Sequence, residues 1–406
     1  MAAQADADDS FSQMSTKALK RMLEGLGVST ATCCERGDLL KLAEGNPGAA
    51  DEGVDALYAL SDPHSGDRTN MRYLSSLPAR PRSALIVAGD VDDDVRVLTE
   101  TLRVCVSKFG GGVFFTPGNH DLWLLGRERD SLAKLGVVLK AAEAAGASTT
   151  RRLLRGRSGE RSVLVIPLLS WPHASFDTEP ALTCWGGLPT ARQAMSDYHN
   201  YAWPAPLDDA TESVARHFDA LNDDAPADVD RATTAVVTFS HFLPRIELIP
   251  EKRFMFLPCL AECVGSRFLG DRVARLRPDV HVFGHTHLAW DATLDGVRYL
   301  QGCVGYPNEW ATRPASLEIG RLRCCPVAPD GRGRACELVR DGPLKVWDAA
   351  AGLAGYFGAK WSKHYETYPR RPDVTHVLPP YSAARYAPLA GAEVRDVCDH
   401  VPPFGT

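Results

Sequence analysis

Five short groups of polar residues in this chain carry the side-chain types that bind transition metals. They are Asp62-Pro63-His64, Gly89-Asp90, Gly118-Asn119-His120-Asp121, His241 and Gly284-His285-Thr286-His287. Oxygen ligands mixed with imidazoles suit first-row transition metals. They also suit a two-metal hydrolytic centre, in which one ion clamps a phosphoryl oxygen and the pair activates a water molecule. The residue types therefore predict metal-assisted hydrolysis.

The elements that must position these groups are predicted to be buried strands separated by helices. Short apolar runs rich in Val, Ile and Phe predict strands at Val54–Leu60, Ala84–Ala88, Val113–Thr116, Val163–Leu169, Ala235–Phe239 and Val280–Phe283. The stretches Val91–Lys108 and Asp130–Ala145 predict helices between them. This alternation favours an α/β fold, in which ligands bind at the carboxyl ends of the strands. Because all five groups follow strands, we expect them to form one site.

Composition restricts the classes of partner. The chain has 406 residues, a net charge of −6 and 45% hydrophobic residues, so we expect one large domain with appendages and no general attraction to nucleic acid or anionic membranes. No apolar stretch reaches the length of a membrane span, and the acidic N-terminus lacks the features of a secretion signal. Eleven cysteines without a C-x-x-C motif favour a reducing compartment. We therefore expect an intracellular protein, in the cytoplasm or alternatively in the nucleus.

The flanking segments are predicted to be appendages of the main domain. Residues 1–13 are expected to form a disordered tail, and residues 320–406 a C-terminal extension that wraps the core. Residues 14–46 resemble a SAP-like helical module. Because residues 15–44 carry almost no net charge, protein docking or a structural cap is favoured there over binding to nucleic acid. The Pro- and aromatic-rich residues 171–206, called the insert below, are expected to form an ordered lid or wall.

The order of the five groups, D-x-H, G-D, G-N-H-D, a single His and G-H-x-H, resembles the calcineurin-like metallophosphoesterase superfamily. The matching domain is predicted to span residues 54–319. The resemblance implies a four-layer α/β/β/α sandwich of two mixed β-sheets flanked by helices. The stretches Phe239–Arg245, Val282–Gln301, Ser175–Pro180 and Gly305-Tyr306-Pro307 are similar to a plant and algal group of these enzymes, which brings no substrate with it.

The resemblance also implies roles for the residues of the five groups. Asp62, His64 and His287 would hold a first metal, and Asn119, His241 and His285 a second. Asp90 would bridge the two ions, which would be divalent or mixed-valence Mn, Fe or Zn. His120 would stabilise the transition state and protonate the leaving oxygen, while Asp121 would hold the His120 imidazole in the required tautomer. The alternative is that His120 only caps the helix that follows it.

Two further residues are candidates for substrate binding. Arg245 follows the His241 group closely, and its alternative is a surface salt bridge. His173 lies in the insert, where aromatic residues more often serve as packing anchors. The Gly89-Asp90 group lacks the arginine that follows it in the protein Ser/Thr phosphatase branch of the superfamily, so a protein-phosphatase role is disfavoured.

The function predicted from these observations is metal-dependent hydrolysis of a phosphate mono- or diester. One alternative keeps the same centre in a nuclease or a cyclic-nucleotide phosphodiesterase. A second alternative is a metal-bound scaffold that recruits protein partners through residues 15–44 and 340–406 without catalysis. All the expected ligands are present, which argues against the scaffold.

Overall fold

The computed structural model describes residues 53–157, 159–225, 227–255, 257–320, 324–327, 335–338, 342–380, 389 and 391–394. The predicted tail at residues 1–13 and the predicted SAP-like module at residues 14–46 lie outside the described residues. Within these described ranges, no helix combines the length and the apolar composition that crossing a membrane would need.

The centre of the molecule is built from two six-stranded sheets. The strands of the first are β1 (Ala56–Leu60), β2 (Ser83–Ala88), β3 (Gly112–Thr116), β4 (Ala147–Ser148), β13 (Leu344–Asp348) and β14 (Gly352–Leu353). The strands of the second are β5 (Arg152–Arg155), β6 (Ser162–Pro167), β7 (Thr234–Phe239), β8 (Val280–Val282), β9 (Trp290–Leu294) and β10 (Val297–Gln301). Two small sheets pair β11 (Cys324–Val327) with β12 (Ala335–Leu338) and β15 (Val377–Leu378) with β16 (Glu393–Val394).

Both large sheets mix parallel and antiparallel strands. The first has the order β14-β13-β1-β2-β3-β4, in which β1 to β4 are parallel and β13 runs antiparallel to β1. The second has the order β5-β6-β7-β8-β10-β9, with β6, β7, β8 and β10 parallel and antiparallel strands at both edges. The carboxyl ends of the parallel strands therefore gather at one edge of each sheet.

The two sheets pack face to face, and helices cover their outer faces. One core cluster joins side chains of both sheets: Leu57, Ile86 and Phe114 from the first, and Val165, Val237 and Val282 from the second. All six residues of β2 are buried, which explains why the strand is a continuous apolar run rather than an alternating one. The prediction of two mixed sheets flanked by helices is confirmed.

The helices are α1 (Arg68–Ser76), α2 (Val95–Lys108), α3 (Ser131–Ala144), α4 (Ala191–Ala194), α5 (Asp197–Asn200), α6 (Ser213–Ala220), α7 (Arg267–Leu276), α8 (Pro307–Thr312), α9 (Pro314–Leu317) and α10 (Lys360–Thr367). The apolar faces of α1, α2 and α3 pack on the outer face of the first sheet, and α7 packs on that of the second. α2 begins at Val95, later than predicted, because the Asp94 carboxylate caps it by accepting the backbone N–H of Arg96.

The region after residue 320 contributes to the central layer. β13 lies between β1 and β14 in the first sheet, so this part of the predicted extension completes the sheet rather than only wrapping it. Trp361 of α10 is fully buried against the second sheet's outer cluster. The insert packs on itself as well: Trp171 meets Tyr201 and Trp203 edge to face, and the Tyr201 and Trp203 rings are tilted against each other, with ring centres 4.8–5.4 Å apart.

Candidate metal centre

The five polar groups meet at the carboxyl ends of β1, β2, β3, β7 and β8. We call the residues they bring together the polar cluster: Asp62, His64, Asp90, Asn119, His120, Asp121, His241, His285 and His287. Three overlapping sets place their ligand atoms within 4.8 Å of one another, namely Asp62/His64/His287, His64/Asp90/His120 and Asp90/His241/His285. The convergence predicted from the sequence is therefore present in the fold.

Asp90 lies between the two halves of the polar cluster. Its Oδ2 atom is 3.9 Å from His64 Nε2, while its Oδ1 atom is 3.4 Å from His241 Nε2. Asp90 Oδ1 also accepts the backbone N–H of His120 at 2.9 Å. The two oxygens of one carboxylate thus face different sets of imidazoles.

The backbone at the polar cluster is unusual. Seven non-glycine residues of the described chain have positive φ, and five of them belong to the polar cluster: Asp62 (52°), His64 (38°), Asp90 (55°), His285 (74°) and His287 (50°). Such conformations cost roughly 1–3 kcal/mol each and gather at functional sites. The sharp turns allow residues close in sequence to aim their side chains at one point.

The glycines next to these residues provide space rather than flexibility alone. A Cβ atom on Gly118 would lie 2.2 Å from Asp90 Oδ1, and one on Gly284 would lie 2.9 Å from the Ala88 carbonyl oxygen. Of Gly89, Gly118 and Gly284, only Gly89 has a positive φ, at 79°. Most of the left-handed turns at the polar cluster are therefore taken by the polar residues themselves rather than by the neighbouring glycines.

The outer nitrogens of three imidazoles are fixed as donors by their partners. His241 Nδ1 lies 3.0 Å from the Ala88 carbonyl oxygen, and His285 Nε2 lies 3.1 Å from that of Cys263. His287 Nδ1 lies 2.6 Å from Glu309 Oε2. Each partner is an acceptor, so each outer nitrogen must carry the proton, and the inner nitrogen of the neutral ring then presents a lone pair.

These inner lone pairs point at other acceptors. His241 Nε2 and His285 Nδ1 both lie 2.9 Å from Asn119 Oδ1. His287 Nε2 lies 3.0 Å from His64 Nε2. Two lone pairs that face each other repel unless a proton or a metal ion lies between them. The donor set of carboxylate oxygens, one amide oxygen and imidazole nitrogens matches that of transition-metal sites, so the residues present fit metal ions.

Charge in the polar cluster also favours cations. Asp62 and Asp90 are almost fully buried. Burial raises the pKa of a carboxyl group, but the imidazoles of His241 and His120 hold the pKa of Asp90 well below its ordinary value. In return, although burial opposes the charged ring, the Asp90 and Asp62 carboxylates raise the pKa of His241 to about 9. Protons and metal ions therefore compete for the same negative charge.

The pKa values of three further imidazoles also shift, one upward and two downward. Although burial opposes the charged ring, the Glu309 and Asp62 carboxylates raise the pKa of His287 to about 10. Burial and the neighbouring His287 ring lower the pKa of His64 to about 3, and burial with the His241 ring lowers that of His285 to about 4. His64 and His285 are therefore neutral throughout the physiological range.

Asp121 does not hold His120, contrary to the prediction. Its buried carboxylate accepts four backbone N–H groups, from Asp90, Val91, Asp92 and Gly118, at 2.8–3.0 Å. The two residues are adjacent in a tight 3₁₀ turn at His120–Leu122, where consecutive side chains diverge. Asp121 instead ties the loop after β2 to the loop after β3.

His120 lies beside the polar cluster. Its ring is half-buried and packs against the Trp123 indole, with ring centres 3.7 Å apart, and against the His64 ring at 4.8 Å. Tyr306 stacks on the His64 ring, with ring centres 4.1 Å apart. Two aromatic side chains thus flank the imidazoles of His64 and His120.

The two predicted substrate residues have other partners. The Arg245 guanidinium pairs with Glu247 at 2.6 Å and with Asp295 at 2.7 Å. His173 bonds to the Ser175 hydroxyl and accepts the backbone N–H of Arg267. Within the described part of the chain, neither forms a hydrogen bond or ion pair with the polar cluster. For Arg245, the structure shows the salt bridge that was its alternative.

Two carboxylates that support the polar cluster were missed in the sequence. Glu309 accepts a hydrogen bond from His287 and the backbone N–H of Tyr306, and it pairs with Arg313. Its position three residues into a helix that starts with Pro307 was an available signal for a capping role, not for a metal site. Asp197 in the insert accepts the Asn119 side-chain N–H at 2.6 Å, and no sequence pattern marked it.

Comparison with known proteins places the fold and the polar cluster in a family. The model of the calcineurin-like phosphoesterase family matches residues 56–289, which is more than half of the chain and contains the whole polar cluster. [Acyl-carrier-protein] phosphodiesterase PptH of Mycobacterium tuberculosis is 29% identical over 273 residues, covering 63% of this chain and 80% of the relative. The crystal structure of the phosphopantetheinyl hydrolase PptH from the same organism is 24% identical, with a TM-score of 0.49, and covers 65% of this chain and 95% of that chain. The family match establishes that this chain belongs to the calcineurin-like phosphoesterases and is a phosphoric ester hydrolase.

Proposed function

We propose that the polar cluster binds two transition-metal ions and that the protein hydrolyses a phosphodiester. The first ion would be held by Asp62, His64 and His287, and the second by Asn119, His241 and His285, with Asp90 shared. The observation that carries this proposal is the set of inner imidazole nitrogens that face other acceptors at 2.9–3.0 Å. Two such sets, joined by the two oxygens of Asp90, are what a dinuclear site needs.

Metal ions in this position supply positive charge to the phosphoryl oxygens and lower the pKa of a water molecule. The protein's own residues fix where this charge lies. Asp62 and Asp90 provide negative charge for the ions, while the Asn119 amide adds a ligand oxygen without adding charge. The site therefore keeps enough positive charge to attract a phosphate group.

His120 is the candidate general acid. It is half-buried rather than enclosed, its backbone is fixed by the bond to Asp90, and its ring is held against Trp123. It can therefore reach a substrate bound at the polar cluster and give a proton to the leaving oxygen. Residues that do this contribute about 10²- to 10⁴-fold to rate.

A diester is favoured over a monoester for two reasons. The 29% identical relative carries the name of a phosphodiesterase that acts on acyl-carrier protein. The aromatic rings of Trp123 and Tyr306 beside His120 and His64 also offer apolar surface to an organic group on the phosphate. A phosphodiester linked to a carrier protein is the first substrate class to test. No observation favours the nuclease or cyclic-nucleotide alternative.

The test is hydrolysis of bis-p-nitrophenyl phosphate, p-nitrophenyl phosphate and phosphopantetheinylated acyl-carrier protein, with added Mn²⁺. We expect the two diesters to be cleaved faster than the monoester, and bound Mn²⁺ to reach two ions per chain in a calorimetric titration. His120→Ala should lower kcat about 10²- to 10⁴-fold while two ions still bind. A protein that binds fewer than two ions, or that prefers the monoester, contradicts the proposal.

Other features stay predictions. These are the identity of the ions as Mn, Fe or Zn, a protein partner for residues 15–44, and a cytoplasmic location.

A further inference from the structure

We propose that Asp197, which the insert supplies, is a positioning residue that orients both the Asn119 amide and the Trp123 indole. This role rests on the proposed metal centre and adds an outer carboxylate to its second half. Asp197 lies at the start of α5, far in sequence from the five groups that mark the site. Its Oδ1 atom accepts the Asn119 Nδ2–H at 2.6 Å and the Trp123 Nε1–H at 2.9 Å.

The bond to Asn119 decides which atom of the amide faces the second metal position. A carboxylate can only accept hydrogen bonds, so Asp197 selects the NH₂ group of Asn119. The amide oxygen is then turned toward His241 and His285, at 2.9 Å from each ring nitrogen. The reverse orientation would present NH₂, which cannot bind a cation. Asp197 thus orients the Asn119 amide so that its oxygen, and not its NH₂ group, can bind a metal ion.

The bond to Trp123 connects the same carboxylate to His120. The Trp123 ring packs against the His120 imidazole with ring centres 3.7 Å apart. The hydrogen bond from the indole nitrogen to Asp197 fixes the orientation of the Trp123 ring. It therefore also fixes the surface against which the His120 ring packs. One oxygen atom of Asp197 therefore controls a proposed metal ligand and the support of the proposed general acid.

The insert segment that carries Asp197 is held firmly against the loop after His120. Leu124 donates its backbone N–H to the Asn200 carbonyl at 2.7 Å, and Ser131 donates its own to the Ala202 carbonyl at 2.9 Å. These bonds lie on either side of the loop between Trp123 and α3. They fix the position of Asp197 relative to Asn119.

The electrostatic setting of Asp197 argues for function rather than stability. The residue is only 8% exposed, and among the described residues it forms no ion pair with a lysine or arginine. Burying a carboxylate without a counter-charge is costly. Both of its partners are neutral N–H groups, so the missing positive charge is best supplied by metal ions at the adjacent site.

The test compares Mn²⁺ binding by the purified wild-type protein with that by Asp197→Asn. We expect the weaker of the two Mn²⁺ affinities to fall about 10- to 100-fold, the range seen when outer partners of metal ligands are removed, and the tighter one to stay within about twofold. Asp177→Asn is the matched control, because Asp177 is a carboxylate of the same insert that pairs with Lys252 away from the polar cluster. It should leave both affinities unchanged.

A double variant separates orientation from packing. Asn119→Asp/Asp197→Asn exchanges amide and carboxylate, so the hydrogen bond between the two positions can re-form with its direction reversed. We expect the weaker Mn²⁺ affinity to recover at least tenfold relative to Asp197→Asn alone. Unchanged Mn²⁺ affinities in Asp197→Asn, or no recovery in the double variant, would overturn the role of Asp197. Failure of the wild-type protein to bind two ions would instead overturn the proposed function.

Discussion

The two halves of the proposed metal centre are held by different kinds of partner. In the first half, His287 donates to the Glu309 carboxylate, which is itself paired with Arg313. In the second half, His241 and His285 donate to the backbone carbonyls of Ala88 and Cys263. An imidazole of the first half therefore has a charged outer partner, whereas both imidazoles of the second half have neutral ones.

The ligands themselves also give the first half more negative charge than the second. Asp62 brings a full negative charge to the first half, while Asn119 brings a neutral amide to the second. A carboxylate behind an imidazole also raises the basicity of that ligand. We therefore expect the first half to bind its ion more tightly, and the second half to depend more on neighbouring charge such as that of Asp197.

The largest loss of Mn²⁺ affinity is expected from replacing Asp90, which the two halves share. Asp90→Asn takes away the charge whose two oxygens face His64 and His241. Both Mn²⁺ affinities and kcat/KM should fall at least about 100-fold, since even outer partners of metal ligands contribute 10- to 100-fold. Asp93→Asn, in the same loop but outside the polar cluster, is the control. Loss of only one ion from Asp90→Asn would show that the halves are independent.

A smaller and one-sided effect is expected from Glu309→Gln. The amide keeps the size of the side chain but removes the negative charge behind His287, so the tighter Mn²⁺ affinity should fall about 10- to 100-fold. Isothermal titration of the metal-free protein measures both affinities together. If both fell equally, the distinction between a charged and a neutral outer partner would be wrong.

The smallest effect is expected at Arg245, which the sequence had offered as a substrate residue. Its guanidinium pairs with Glu247 and with the exposed Asp295, so Arg245→Ala removes a partly exposed salt bridge. Such pairs contribute roughly 0–1 kcal/mol to the free energy of unfolding. We expect kcat/KM to stay within about twofold in a diester assay. A tenfold rise in KM would restore the substrate role.

The sheet and the five polar groups were readable in the sequence because strong local patterns mark them. Each of the six predicted strands is a short apolar run, and the structure places its ends within about two residues of the predicted bounds. The groups follow those strands directly, so the parallel topology brings them together.

What the sequence did not show depends on contacts between distant segments. The carboxylate of Asp121 binds the loop after β2 by accepting the backbone N–H groups of Val91 and Asp92. Asp197 gains its role only because the insert folds back on Asn119. β13 comes from a weakly periodic region and is recruited as a strand by pairing with β1. None of these contacts can be inferred from a short stretch of consecutive residues.

The left-handed backbone at five polar cluster residues has a consequence for engineering. Glycine would fit the turns at Asp62, His64, Asp90, His285 and His287 with less strain than the residues that occupy them. Selection of a random library for heat resistance alone would therefore reward variants that discard the working side chains. A heat-resistant version of this hydrolase should be obtained only under a selection that demands turnover at every round.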